Sequence, residues 1–187
     1  MKFRKLEFRR VGSLPPYVFA QVNDLKRELR AAGRDVIDLG FGNPDIPSPP
    51  VAVEKLREAA LRPVNHRYSV SRGLPQLRLA LSELYDRRFG VTLDPDTQVV
   101  ATIGAKEALS HLMWVLVEPG DAAIVPSPSY PIHLFAPVFA GATTVEAELT
   151  PSFVDAVVDA WERTLPKPRV AILSFPHNPT TAIASRE

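Results

Sequence analysis

Cysteine is absent from the 187 residues. That excludes a disulfide framework, a thiolate nucleophile and cysteine-based zinc or iron–sulfur sites, and it fits a reducing compartment. Neither sign of charge is in excess: 22 Lys and Arg stand against 21 Asp and Glu, a net +1. No global field therefore points to nucleic acid or an acidic membrane surface. Long apolar runs are missing too. The longest covers 112–117, far short of the ~20 residues of a membrane span. No apolar stretch follows the basic start Met1-Lys2-Phe3-Arg4-Lys5 to make a secretory signal. The four histidines, His66, His111, His133 and His177, fall on different segments without metal-ligand spacing and read as structural, so no metal is expected. These absences lead to the expectation of a soluble, cytoplasmic chain with no nucleic-acid or membrane partner.

What is present is globular. Hydrophobic residues make up 45% and charged residues 23%, an ordinary balance for a folded domain. A chain of this length buries roughly 70% of its unfolded surface when it folds compactly. There are 19 prolines, above the average usage of about 5%. They form no low-complexity tract and fall at segment ends such as Pro44, Pro47, Pro119, Pro126 and Pro151, where helix and strand breakers belong.

Residues 1–16 read as an extended arm, basic at its start. Lys2, Arg4, Lys5, Arg9 and Arg10 fit a dimer-wrapping arm better than a nucleic-acid contact. Helical spacing of Phe19, Val22, Leu25 and Leu29 predicts a helix over 19–32 with Gly33 as its stop. A short strand over 36–39 is expected next, then a loop from Gly40 to Asp45. Ser48 is placed to cap a helix from Pro49 to Ala60. Leu77, Leu81, Leu84 and Tyr85 share one face of a helix over 75–89, which Gly90 ends. From there strands over 99–103, 122–125, 143–149 and 170–175 alternate with helices over 106–117, 132–140 and 153–165. Apolar strands each followed by a helix imply a mostly parallel sheet covered on both faces. Ligands of such sheets sit beyond the carboxyl ends of the strands, which singles out the loops at 104, 126–130 and 176–180.

Three of these loops carry chemistry. In Thr102-Ile103-Gly104-Ala105-Lys106-Glu107 a strand delivers a glycine into the first turn of a helix, a ready anion site. The plainer reading is a tight strand-to-helix turn. In Pro126-Ser127-Pro128-Ser129-Tyr130-Pro131 three prolines stiffen a loop whose tyrosine is placed to stack on a planar ligand. Alternatively it packs its own loop. In Ser174-Phe175-Pro176-His177-Asn178-Pro179-Thr180 a polar amide ends an apolar strand. It suits either a directed hydrogen bond to a ligand or a turn. Gly40-Phe41-Gly42 begins like a dinucleotide fingerprint, but the third glycine position holds Asp45 and Pro44 prevents a helix from opening there, so that reading fails.

The ordered set is more specific than its parts. Gly40-Phe41-Gly42-Asn43-Pro44-Asp45, Arg67-Tyr68-Ser69, Gly73-Leu74-Pro75, Leu77-Arg78, Gly104-Ala105-Lys106-Glu107, Pro128-Ser129-Tyr130-Pro131 and Asn178-Pro179-Thr180 resemble the class I aminotransferases, fold-type I pyridoxal-phosphate enzymes. The resemblance spans essentially the whole chain. Within the family, residues 67–73 and 129–133 look most like the alanine-forming glutamate–pyruvate aminotransferases.

The resemblance implies a three-layer α/β/α fold with a mostly parallel sheet, here incomplete. Residues 1–47 would form an N-terminal arm and small-domain segment, and 48–187 the first part of the large cofactor-binding domain. It implies pyridoxal 5'-phosphate as cofactor, a small amino acid such as alanine and a 2-oxo acid such as 2-oxoglutarate as substrates, and a homodimer. Backbone amides of Gly104, Ala105 and Lys106 would hold the cofactor phosphate. Tyr130 would stack on the pyridine ring, Asn178 would bond its phenolic oxygen, and Tyr68 would reach the phosphate in the neighbouring subunit. Gly42 would leave room for the substrate carboxylate. Ser127-Pro128 and Asn178-Pro179 become candidates for cis peptides, against a base rate of about 5–6%.

The family's Schiff-base lysine, its pyridine-nitrogen aspartate and its two anion-binding arginines lie downstream of the Asn-Pro-Thr motif, and Glu187 is seven residues after Thr180. No catalytic residue is therefore expected in this chain, which reads as an inactive N-terminal fragment with an exposed sheet edge, marginal in stability or aggregation-prone by itself. Lys106 lies in the phosphate turn and is a poor substitute for the missing lysine. Thr181 stands where many relatives have glycine. Two rivals remain at this point: a truncated relative that only binds a phosphate ligand or a partner chain, and another fold-type I chemistry such as a lyase or decarboxylase.

Overall fold

A computed structural model describes residues 8, 12, 14, 16–40, 42 and 44–185. Contacts group the chain into two units that divide after Ala101, the first being Pro16–Ala101 and the second built from Thr102 onward. This is a grouping by packing, whereas the 1–47 and 48–187 division concerns the parts of a complete protein. Most of the expected N-terminal arm lies outside the described residues.

The first unit holds α1 (Val18–Ala31), α2 (Pro50–Ala60), a 3-10 turn (Pro63–Asn65) and α3 (Pro75–Phe89). Helix α1 ends as its sequence predicts: the amides of Gly33 and Arg34 turn back to Arg30 and Leu29 at 3.0 Å, and Gly33 has left-handed φ. Helix α2 starts on Pro49 with no side-chain cap, so Ser48 is not the cap its residue type suggests. Proline at N1 already has helical φ and no amide to satisfy, which makes a capping oxygen dispensable. In α3 the buried positions are Arg78 and Ser82, one face away from Leu77 and Tyr85, which are exposed. Arg78 is buried because Nη1 donates to the Pro95 carbonyl at 2.5 Å and to Asp96 at 3.0 Å, stapling the 94–97 turn to the helix.

Two expected strands do not form. Residues 36–39 and 99–103 run without a ladder partner among the described residues, and Leu39 and Ile103 are each more than nine-tenths exposed. A strand is stable only where a neighbour takes its N–H and C=O groups, and apolar patterning alone does not supply one.

The second unit is layered. Helix α4 (Ala105–Leu116) leads to β1 (Ala122–Ser127), α5 (Pro131–Ala140), β2 (Thr143–Glu148), α6 (Phe153–Arg163) and β3 (Val170–Ala171). The sheet order is β2-β1-β3, with both pairs parallel and Ala122 opposite Thr143, Ala123 opposite Val170. Strand β3 is shorter than its apolar run: Ile172 adds one rung, its amide reaching Ile124 at 2.9 Å, and Leu173 is exposed. Central β1 is buried on both faces, as a parallel strand should be. Val125 packs with Met113, Ala136 and Ile172 beneath α4 and α5. Ile124 points the other way, to Phe153 and Ala160 of α6. Helices on both faces of a parallel sheet make the expected three-layer α/β/α arrangement. No helix among the described residues is long and apolar enough to cross a membrane.

Candidate functional site

The loops at the carboxyl end of the parallel sheet hold the second unit's candidate residues. Gly104 is the N-cap of α4, with φ 83 and ψ 164. This region of backbone space is essentially restricted to glycine, so the residue type follows from the turn. A Cβ there would meet nothing within 4 Å, so the N-terminus of α4 is open. A helix leaves the amides of its first turn without an intrahelical acceptor and carries partial positive charge there. The Glu107 carboxylate turns back to accept the Ile103 amide, and Thr102 Oγ1 donates to the Gly104 carbonyl at 3.2 Å. Both contacts fix the entry of the chain into α4.

Tyr130 caps α5 at the end of the loop that leaves β1. The Ser127-Pro128 peptide is cis, Pro131 begins the helix, and the His133 amide donates to the Tyr130 carbonyl at 2.9 Å. The ring is half-buried, edge-on to His133 with centroids 5.9 Å apart. Lys106 Nζ lies 5.4 Å from the Tyr130 ring centroid, which places the first turn of α4 beside that ring.

Asn178 follows β3 in a turn with a cis Asn178-Pro179 peptide, and its side chain is exposed. Its neighbour His177 is buried, 2% exposed, as is His133 at 8%. Burial, and then the charge of His177, hold the His133 imidazole below the usual histidine range. Ser129 Oγ, His133 Nδ1 and His177 Nε2 are buried without a hydrogen-bond partner among the described residues. The structure thus gathers Gly104, Ala105, Lys106 and Tyr130, with His133 edge-on to the Tyr130 ring. Gly42 and Tyr68 belong to the first unit, where Gly42 has open space around it and the Tyr68 ring is fully exposed.

Sequence reasoning read all four histidines alike and so missed that His133 and His177 differ from the exposed His66 and His111. The available signal was adjacency: His133 lies one helical turn after Tyr130, and His177 directly precedes Asn178. Among the described residues no cluster of metal-ligating side chains occurs. A separate cleft of about 600 Å³ lies beside β2 and α6. Its Glu146, Glu148 and Asp159 disfavour an anion, and its one cation, Arg163, is already paired with Asp159 at 3.1 Å.

Residues 34–187 match the family Aminotransferase class I and II. The chain belongs to that family. The chain is 48% identical over 181 residues to AatC of Rhizobium meliloti (strain 1021), covering 96% of the chain and 45% of the relative. It is 44% identical over 182 residues to glutamate-pyruvate aminotransferase AlaC of Escherichia coli (strain K12), covering 96% and 44%. Among solved structures it is similar to substrate-bound BacF from Bacillus subtilis, with a TM-score of 0.82, 35% identity and coverage of 97% of this chain and 47% of that one. The chain therefore spans about half the length of the relatives it matches.

Proposed function

We propose that this chain is the N-terminal part of a pyridoxal-phosphate-dependent aminotransferase that moves an amino group between a small amino acid such as alanine and a 2-oxo acid such as 2-oxoglutarate. The observation that carries the reading is the open, glycine-capped N-terminus of α4 lying beside the half-buried Tyr130 ring. The pair offers amides to a phosphate and an aromatic face to the ring attached to it. The open space at Gly104 and the donor character of the first turn fit a phosphate dianion. When bound, the cofactor supplies the electron sink and the carbonyl carbon on which amino transfer depends.

The chain's own residues then bind and orient. Amides of Gly104, Ala105 and Lys106 donate to the phosphate, and the Lys106 ammonium adds positive charge beside it. Tyr130 holds the ring by stacking, worth about 0.5–1.5 kcal/mol beyond its buried area. Asn178 donates its amide to the ring's phenolic oxygen. In a homodimer Tyr68 serves the phosphate of the other copy, and Gly42 keeps the approach of the substrate carboxylate free of a side chain. Residues 1–47 act as arm and small-domain segment and 48–187 as the first part of the large domain, in the cytoplasm.

The preference for alanine draws on residues 67–73 and 129–133 and on the name of the AlaC relative. Relatives named LL-diaminopimelate aminotransferase reach 41% identity, so the substrate assay must carry both. The test is the complete protein loaded with pyridoxal phosphate, its visible cofactor band recorded and pyruvate formation from alanine and 2-oxoglutarate followed against LL-diaminopimelate. A band with pyruvate formation is expected. A protein that takes up no cofactor overturns the reading, and turnover of LL-diaminopimelate alone overturns the substrate assignment.

A further inference from the structure

The turn that presents Asn178 is closed by one residue. The His177 amide donates to the Ala182 carbonyl at 2.7 Å, and the His177 carbonyl accepts from Thr181 N–H at 2.7 Å. The His177 ring contributes the third tie, Nδ1 to Thr180 Oγ1 at 2.9 Å, and the same hydroxyl lies 3.4 Å from the Ala182 amide. Asn178 and Pro179 form the exposed tip of this loop, while the His177 ring beneath them is 2% exposed. The ring is anchored in turn: it sits 6.3 Å from Phe175, which packs edge-on against Phe153 of the core at 5.8 Å. Thr181 holds φ 61, a conformation that a β-branched residue adopts only when its surroundings impose it.

We propose that His177 is a positioning residue for Asn178, its ring pinning Thr180 so that the 177–182 turn presents the Asn178 amide at a fixed angle to the ligand. A buried imidazole tied by one nitrogen to a hydroxyl two residues beyond Asn178 transmits the rigidity of the Phe153–Phe175 core to an otherwise exposed amide. It also holds Thr181 in its left-handed conformation. The role rests on the reading of Asn178 as a cofactor contact, and its test is chosen to separate the two.

The complete protein, free of cofactor and labelled with 15N, reports the Asn178 side-chain amide pair directly. Dispersed Asn178 signals are expected in the wild type and in His177→Asn, whose side-chain amide replaces Nδ1. Signals collapsed toward random-coil values are expected in His177→Ala, His177→Gln and Thr180→Val, with Thr180→Ser retaining the wild-type pattern. Binding of pyridoxal phosphate should weaken about tenfold in His177→Ala and in Thr180→Val, the loss of one hydrogen-bonded orientation. The double variant should be no weaker than either single one. Unchanged Asn178 signals in His177→Ala, additive losses in the double variant, or no rescue by asparagine would overturn the proposal. Should His177→Ala fail to fold, the Thr180→Val and Thr180→Ser pair decides by the same signals. If Asn178→Ala leaves cofactor binding unchanged, the assignment of Asn178 fails, while the amide signals still judge His177.

Discussion

Replacing Gly104 by alanine tests the anion site through two separable costs. Nothing lies within 4 Å of the new Cβ, so no neighbour resists it and the whole penalty is conformational. With φ 83 and ψ 164, alanine would stand in a region open essentially to glycine, at about 1–3 kcal/mol. The chain either bears that cost or rotates the 103–105 peptides and relieves it. Rotation turns the Gly104 and Ala105 amides away from the phosphate, and one charge-assisted hydrogen bond is worth about 1.5–3 kcal/mol. Pyridoxal phosphate should then bind roughly 10- to 150-fold more weakly, each 1.4 kcal/mol being tenfold. Titration calorimetry of the complete protein with pyridoxal phosphate and with phosphate-free pyridoxal isolates the effect, since pyridoxal affinity should hardly move. Urea unfolding of the same variant reports whichever part of the cost is retained in the fold. A Gly104→Ala protein with wild-type stability and wild-type phosphate-dependent affinity would refute the reasoning.

Other outcomes follow from particular residues. Gly73→Ala should destabilise the first unit by about 1–3 kcal/mol as an overpacked site, because its Cβ would fall 2.3 Å from Ala101 Cβ at a φ of 86; equal denaturation midpoints would contradict this. Met113→Ala should cost about 2–5 kcal/mol, since Met113 is fully buried between α4 and the sheet; a smaller loss by chemical unfolding would show that the site collapses around the cavity. Because the His133 imidazole is held below its ordinary value, the folded state binds its proton less readily than the unfolded chain. Stability should be full above the ordinary histidine value of 6.5 and fall as the pH drops from there toward the lowered one, a dependence that His133→Gln should flatten. The 187-residue chain by itself exposes Ile103, Trp114, Val115 and Leu173, so it should self-associate in light scattering; a monodisperse protein with a sharp cooperative melt would argue against that.

Helices were legible because their signals are local. The spacing of Phe19, Val22, Leu25 and Leu29, and the stops at Gly33 and Gly90, require nothing beyond their own segments. Strand β1 was legible because an apolar run that long must be buried on both faces. Residues 36–39 and 99–103 have the same apolar character and no ladder, since pairing is decided by a second segment that a local pattern does not contain. Ser48 misled for a related reason: a capping residue type matters only where the helix lacks another start, and Pro49 and Pro50 provide one. In α3 the leucine stripe pointed to one buried face, and the hydrogen bonds of Arg78 to Pro95 and Asp96 selected another. Among the candidate site residues, Gly104, Tyr130 and Asn178 were singled out by residue type and order. His133 and His177 were not, because their distinction is burial, which arises only once the chain around β1 and β3 is folded.

The central claim is that a phosphate is gripped by the first turn of α4. Its most direct test is the backbone amide spectrum of the 15N-labelled complete protein during titration with pyridoxal phosphate. The account predicts saturable downfield shifts of the Gly104, Ala105 and Lys106 amides, absent with pyridoxal. Shifts confined to other segments, such as the 146–148 strand end, with the 104–106 amides unmoved, would contradict it.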